Sequence, residues 1–376
     1  MDTSIFEDTR PYNDNEIPAA VNRLLKDNYL PLIFNYLFPD KKEAEDLLKI
    51  LKDVRTVKDF QLKIMYRIIW AIINKTSSGL TYSGFENLND EKKAMLIGNH
   101  RDILLDSAIL QILLTDHHLD TSEITFGSNL MSSQLAIDIG KMNKMFKIIR
   151  GGNIRDFYRN SVHVSTYMRY AITEKKQSTW IAQRNGRTKD GNDTTEMAVL
   201  KMFTLSSNKR FVPNLLELNI TPLIISYEYE PCVFLKVAEL YVSMYQKYEK
   251  KEDEDFQSII QGIIQWKGNI HFVVGKPITE DELKECDQLQ KNDKFIRLAQ
   301  IIDKRIYDNY RLWKTNYIAY DLLYNTDTYT MHYSPSEKSD FIQYMKNGLE
   351  KIEGEYDELE NIFLKIYANP VKNKEL

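Results

Sequence analysis

Cysteine is almost missing from this chain: Cys232 and Cys286 are the two in 376 residues. They lie far apart and form no Cys-x-x-Cys or Cys/His cluster, which excludes a disulfide framework and a structural zinc site and fits an intracellular, reducing compartment. No secretory leader is expected, because the opening MDTSIFEDTRPYNDNE is polar and acidic, with no basic stretch leading into an apolar core. No run approaches the roughly 18 consecutive apolar residues needed to cross a bilayer; the nearest is IMYRIIWAII at 64–73. An excess of positive charge is lacking too: 50 Lys and Arg stand against 54 Asp and Glu, net −4. Bulk electrostatics therefore do not advertise nucleic acid, and none is expected as a partner. Walker A, G-x-G-x-x-G, G-x-S-x-G and H-E-x-x-H motifs are all absent, as are internal repeats and low-complexity tracts. None of the histidines stands at a metal-ligand spacing, so neither a metal nor a cofactor is expected.

What is present is an ordinary globular composition, 43% hydrophobic and 28% charged, enough for a sizeable core. From 16 to about 75, apolar residues recur every three or four positions, as in KKEAEDLLKILKDV, which reads as helix. Gly79, Gly84 and NLNDEKK break that pattern near 80–92. From 93 to about 277, short apolar runs (AMLIG, EITFG, STWIA, TPLIISYEYE, IHFVVG) alternate with longer helical stretches. Strands interleaved with helices imply an α/β fold with a mostly parallel central sheet flanked by helices. After about 279 the texture is helical again and ends in one long expected helix, SEKSDFIQYMKNGLEKIEGEYDELENIFLKIY. The expected organisation is a helical region at 1–90, an α/β domain at 91–280 and a helical region at 281–376. Residues 57–75 carry two readings. One is a buried core helix. The other is a helix lying in a lipid interface, with Trp70 and Tyr66 as anchors and Lys58, Lys63, Arg67 and Lys75 near the headgroups, which would make the protein peripheral on the inner membrane face.

Residues 99–106, NHRDILLD, hold the chemistry. His-Arg-Asp opens the protein-kinase catalytic loop, but a kinase also needs a glycine-rich phosphate loop, a metal-binding Asp-Phe-Gly and an Asn five positions past the Asp of His-Arg-Asp. Here Ser107 holds the Asn position, the Asp-Phe dipeptides read DFQ, DFY and DFI, and the mainly helical stretch upstream leaves no room for a nucleotide lobe. The kinase reading fails.

Four blocks in order support another one: AMLIG running into Asn99-His100 with Asp106 ahead of SAILQILL; MFKIIRGG at 145–152; WIAQRNGRTKDG at 180–191; and ITPLIISYE at 220–228. Over roughly 94–230 the chain resembles the glycerolipid acyltransferase superfamily, which includes glycerol-3-phosphate and 1-acylglycerol-3-phosphate acyltransferases, and within it a bacterial branch carrying HRDI-x-x-D and AQR-x-GR-x-KDGND. The resemblance implies an O-acyltransferase of phospholipid synthesis. It would move a fatty acyl group from acyl-CoA or acyl carrier protein to a glycerol phosphate-type acceptor. Alternatives are acylation of a non-glycerol lipid, or a catalytically inactive relative that binds lipid or phosphate.

Histidine suits the base role because its ordinary pKa leaves it largely neutral near pH 7, and a carboxylate beside it fixes the tautomer. His100 is that candidate. The family spacing, His-x4-Asp, would put the acid at position 105, where Leu105 stands; the nearby acids are Asp102 and Asp106. One residue of helix turns a side chain by about 100°, so Asp106 serves if the preceding loop absorbs the extra residue and Asp106 caps the helix. It is the favoured partner, with Asp102 the alternative. By resemblance, Arg150 and Arg187 correspond to ligands of the acceptor's phosphate. Gly151, Arg184, Gly186 and Lys189 complete the two basic loops. Asn185 stands where the family has Glu.

Overall fold

The computed structural model describes residues 2–38, 40–149, 151–251 and 253–375. Seven strands among them form one sheet: β1 Gly79–Ser83, β2 Met95–Gly98, β3 Glu123–Gly127, β4 Met145–Ile148, β5 Thr179–Ala182, β6 Thr221–Tyr227 and β7 Asn269–Val274. The order across the sheet is β1-β7-β6-β2-β5-β3-β4. Every neighbouring pair is parallel except β6 and β7. The fold is α/β, a mostly parallel sheet flanked by helices and with helical ends. The central strands β2 and β6 are buried along their whole length, which explains their nearly unbroken apolar text.

Successive side chains of a strand point to opposite faces, and the two faces feed two cores. Leu96 of β2 joins the N-terminal helices and the helix Leu105–Asp116, whose Ile109, Leu110 and Leu113 are fully buried. Met95 and Ile97 face the other way, toward Phe203, Leu215, Ile278 and the helix Asp293–Asn309. A third core, around Phe341, Phe363 and Tyr367, unites the C-terminal helices with the helix Val233–Tyr245.

Two local expectations are revised. The 1–90 stretch is not helical throughout, since Gly79–Ser83 forms the edge strand β1. The long final helix is two, Pro335–Leu349 and Tyr356–Lys374. The break lets them fold back, so that Phe341 meets Phe363 at 5.6 Å and Tyr367 at 5.2 Å; one straight rod would leave those rings unpaired. In the 57–76 region the chain is helical, with a π-helical segment at Phe60–Met65. Phe60, Ile64, Ile69, Ile72 and Ile73 are buried in the core, while Lys63, Arg67 and Lys75 are exposed.

Candidate active site

Strands β2, β5 and β6 run parallel side by side, so the segments leaving their carboxyl ends meet at one edge of the sheet, where ligand sites of open α/β sheets form. Asn99, just past β2, is locked there. Its side chain accepts from the Ile225 N–H at 2.8 Å and donates to the Ile225 carbonyl at 3.0 Å and to Asp193 at 2.9 Å. His100 follows, with its carbonyl accepting from the Thr188 N–H at 2.7 Å. Its ring lies edge-on to Trp180, centroids 5.4 Å apart. The imidazole is 14% exposed, and its Nδ1 lies 2.9 Å from Asp106 Oδ2. Its Nε2 has no hydrogen-bond partner among the described residues.

Of the two acids, Asp106 meets the imidazole. It does so from inside the first turn of the helix Leu105–Asp116, not as the cap. The capping work falls to Asp102, whose Oδ1 accepts from the N–H groups of Leu104 at 2.9 Å and Leu105 at 2.8 Å. That turn absorbs the extra residue. Asp106 Oδ2 also accepts from the Arg101 N–H at 2.5 Å and the Asp102 N–H at 2.9 Å, and Oδ1 accepts from the Tyr227 hydroxyl at 2.8 Å. Four donors thus converge on the Asp106 carboxyl group at the first turn of the helix. Burial, and then the negative Asp106, push the Asp102 carboxyl above its usual range. Its Oδ2 is buried without a partner among the described residues. The helix Glu254–Ile264 presses on it: a Cβ on Gly262 would sit 2.2 Å from that oxygen.

Beneath the pair is a buried ion cluster. Arg101, 1% exposed, donates to Asp193 at 2.6 Å, Glu230 at 3.0 Å and the Gly191 carbonyl at 3.2 Å. Burial opposes its charge, yet Asp193 and Glu230 hold the guanidinium firmly protonated. Lys236 joins, donating to Glu230 at 2.5 Å and to the Arg101 carbonyl at 2.9 Å. Asp193 also takes the Thr188 hydroxyl at 2.8 Å. The KDGND loop is thereby tied to the backbone around His100. The C-terminal helix clamps it from outside: Asn369 donates to the Asp190 carbonyl at 2.8 Å. Gly191, at φ +77°, approaches so closely that a Cβ would meet the Ile366 carbonyl oxygen at 2.0 Å.

The basic loop after β5 divides in two. Arg187 donates through Nη2 to Ser258 Oγ at 3.2 Å, while its Nη1 and the Nε of Arg184 are buried with no partner among the described residues. Buried donors of that kind mark a place for an anion or ordered water. Gly186 lies between them in the left-handed region at φ +80°. Lys189 is engaged by Glu239, which takes it out of the set of free cations. Arg150 lies outside the described residues. Gly151, exposed and at φ +90°, follows β4 at the far edge of the sheet, and no hydrogen bond among the described residues ties it to His100 or to the 184–189 loop. Among the described residues there is no cluster of His, Cys, Asp and Glu able to hold a metal, and no helix is long and apolar enough to cross a membrane.

Sequence reasoning missed Arg101, Tyr227, Glu230 and Lys236. The nearest signal was the unusual density of charge and amide groups in NHRD and KDGND, residues whose partners lie mostly on other, distant segments of the chain.

No family model matches the chain, and no curated protein matches it. Among solved structures it is similar to the 1-acyl-sn-glycerophosphate (LPA) acyltransferase PlsC from Thermotoga maritima, with 10% identity and a TM-score of 0.37, over 78% of this chain and 94% of that one. An overlap that loose says nothing about chemistry, which rests on the side chains described above.

Proposed function

We propose that the protein is an O-acyltransferase that moves a fatty acyl group from a thioester, acyl-CoA or acyl carrier protein, to the hydroxyl of a glycerol phosphate or lysophosphatidate. The observation that carries this reading is His100, with Nδ1 on Asp106 and Nε2 without a partner among the described residues. The carboxylate holds the proton on Nδ1 and leaves Nε2 as the base. Nε2 takes the proton of the acceptor hydroxyl, and the oxygen attacks the thioester carbonyl. The tetrahedral adduct then collapses, breaking the C–S bond, and the leaving thiolate recovers the proton from the imidazolium. No acyl-enzyme is formed.

One further feature supports the reading: the buried guanidinium donors of Arg184 Nε and Arg187 Nη1, which have no partner among the described residues, suit the acceptor's phosphate, which arginine forks bind well. The intact His–Asp pair favours a working enzyme over an inactive lipid-binding relative.

The test is thiol release from acyl-CoA and from acyl carrier protein with a panel of acceptors: glycerol 3-phosphate, lysophosphatidate and uncharged or amino-lipid alcohols. Acceptor-dependent release is expected, abolished in His100→Ala. In Arg187→Ala the acceptor KM is expected to rise on the order of tenfold or more, with some loss of kcat. Thioester hydrolysis that needs no acceptor and survives His100→Ala would refute the assignment.

A further inference from the structure

We propose that Tyr227 is a positioning residue for the His100–Asp106 pair, its hydroxyl setting how strongly the carboxylate holds the imidazole. The proposal rests on the reading of His100 as the base. Tyr227 is the last residue of β6, 1% exposed, and its hydroxyl donates to Asp106 Oδ1 at 2.8 Å. The other oxygen of Asp106 is already taken by His100 and by two backbone N–H groups. Among the described residues Tyr227 is thus the sole donor to Oδ1, and it pins the carboxylate from the side opposite the imidazole.

A phenylalanine would fill the same core position without needing a partner for a buried hydroxyl. The ring is a member of the core that lies beneath the sheet, yet its polar tip reaches the pair. Burial, and then Asp106, keep the phenol protonated far above its ordinary range, so it acts as a donor at every working pH. The other titratable groups facing this spot are Asp102 and Tyr310, with Glu230 behind them and paired to Arg101 and Lys236.

A donor on Oδ1 spreads the negative charge of Asp106. Removing it concentrates that charge toward His100, and the protonated imidazole is then held more tightly. In Tyr227→Phe the His100 titration midpoint is expected to move up by about half a unit, and the acid limb of kcat/KM to move with it. Replacing Tyr227 by 3-fluorotyrosine, a stronger donor of nearly the same shape, is expected to move both down. A residue that only filled space would move neither.

The measurement is an NMR titration of the imidazole resonances of the full chain, with His100 assigned by its loss in His100→Ala and folding checked by thermal melting. It needs no substrate. If wild type releases no thiol while the two replacements shift the titration in opposite directions, the acyl-transfer reading falls and the positioning role stands. Midpoints that agree within about 0.2 unit in wild type and the 3-fluorotyrosine protein overturn the proposal, and that near-isosteric replacement decides the matter even if Tyr227→Phe does not fold.

Discussion

Asp303 offers a quantitative check on how the KDGND loop is held. It sits on the helix Asp293–Asn309, is 8% exposed, and accepts the Thr195 N–H at 2.8 Å, where the KDGND loop turns into the next helix. Burial dominates its environment, with Asp193 adding repulsion and Thr195 opposing both, and the carboxyl is pushed up to about 6 from an unperturbed 3.8. Between those two values the unfolded chain has released the proton and the folded one has not. Stability therefore falls as pH rises through that window and stays low above it. A gap of roughly two units, at 1.36 kcal/mol each, is about 3 kcal/mol at pH 7.5. An asparagine keeps the carbonyl oxygen for the Thr195 N–H and carries no charge to desolvate. Its new N–H groups lie near Thr195 Oγ1, which is buried without a partner among the described residues. Asp303→Asn is therefore expected to stabilise the fold by about 2–3 kcal/mol at pH 7.5, and by about 1 kcal/mol at pH 4.5, where the wild-type carboxyl is protonated in the folded chain. Urea unfolding of both proteins at the two pH values measures this. A destabilised Asp303→Asn at pH 7.5, or a difference that does not change with pH, would show that Asp303 works as a charged anchor and would refute the burial argument.

The two acids beside His100 should separate cleanly. Asp106→Asn loses the carboxylate that fixes the tautomer and is expected to lower kcat on the order of 10³-fold. Asp102→Asn retains an oxygen for the helix cap and is expected to stay within about threefold of wild type; equal losses in steady-state assays would mean that both acids serve the imidazole. Arg101→Met leaves Asp193 and Glu230 buried without their shared cation. It is expected to cost about 3–5 kcal/mol in chemical denaturation, far more than an exposed arginine would.

The parts legible in the sequence are those whose cause is local. AMLIG, EITFG, STWIA, TPLIISYEYE and IHFVVG read as strands because short, largely apolar runs suit a central sheet; four lie within a residue of the observed strands, while TPLIISYEYE runs three residues past the end of β6. β1 was not read. GLTYS is a half-exposed edge strand, and its polar composition resembles a loop. The 336–367 run looked like one helix because helical periodicity carries no information about folding back; the contacts of Phe341 with Phe363 and Tyr367 decide that.

The same division runs through the site. His100 was visible from its place after a buried strand, and the arginines from theirs after another. Whether Asp102 or Asp106 meets the ring could not be read from spacing. The answer turns on a loop in which Asp102 caps the helix, and helical phase alone would have misplaced Asp106. Lys189 looked as available as Arg187 until Glu239, on a helix fifty residues on, took it up. The sequence by itself determined the α/β architecture and pointed to His100 and the basic loops, because hydrophobic period and strand ends are short-range properties. Only the tertiary structure decided which charges neutralise one another: Arg101 finds Asp193 and Glu230 across gaps of 92 and 129 residues. Burial makes such pairing obligatory without writing it into any local pattern.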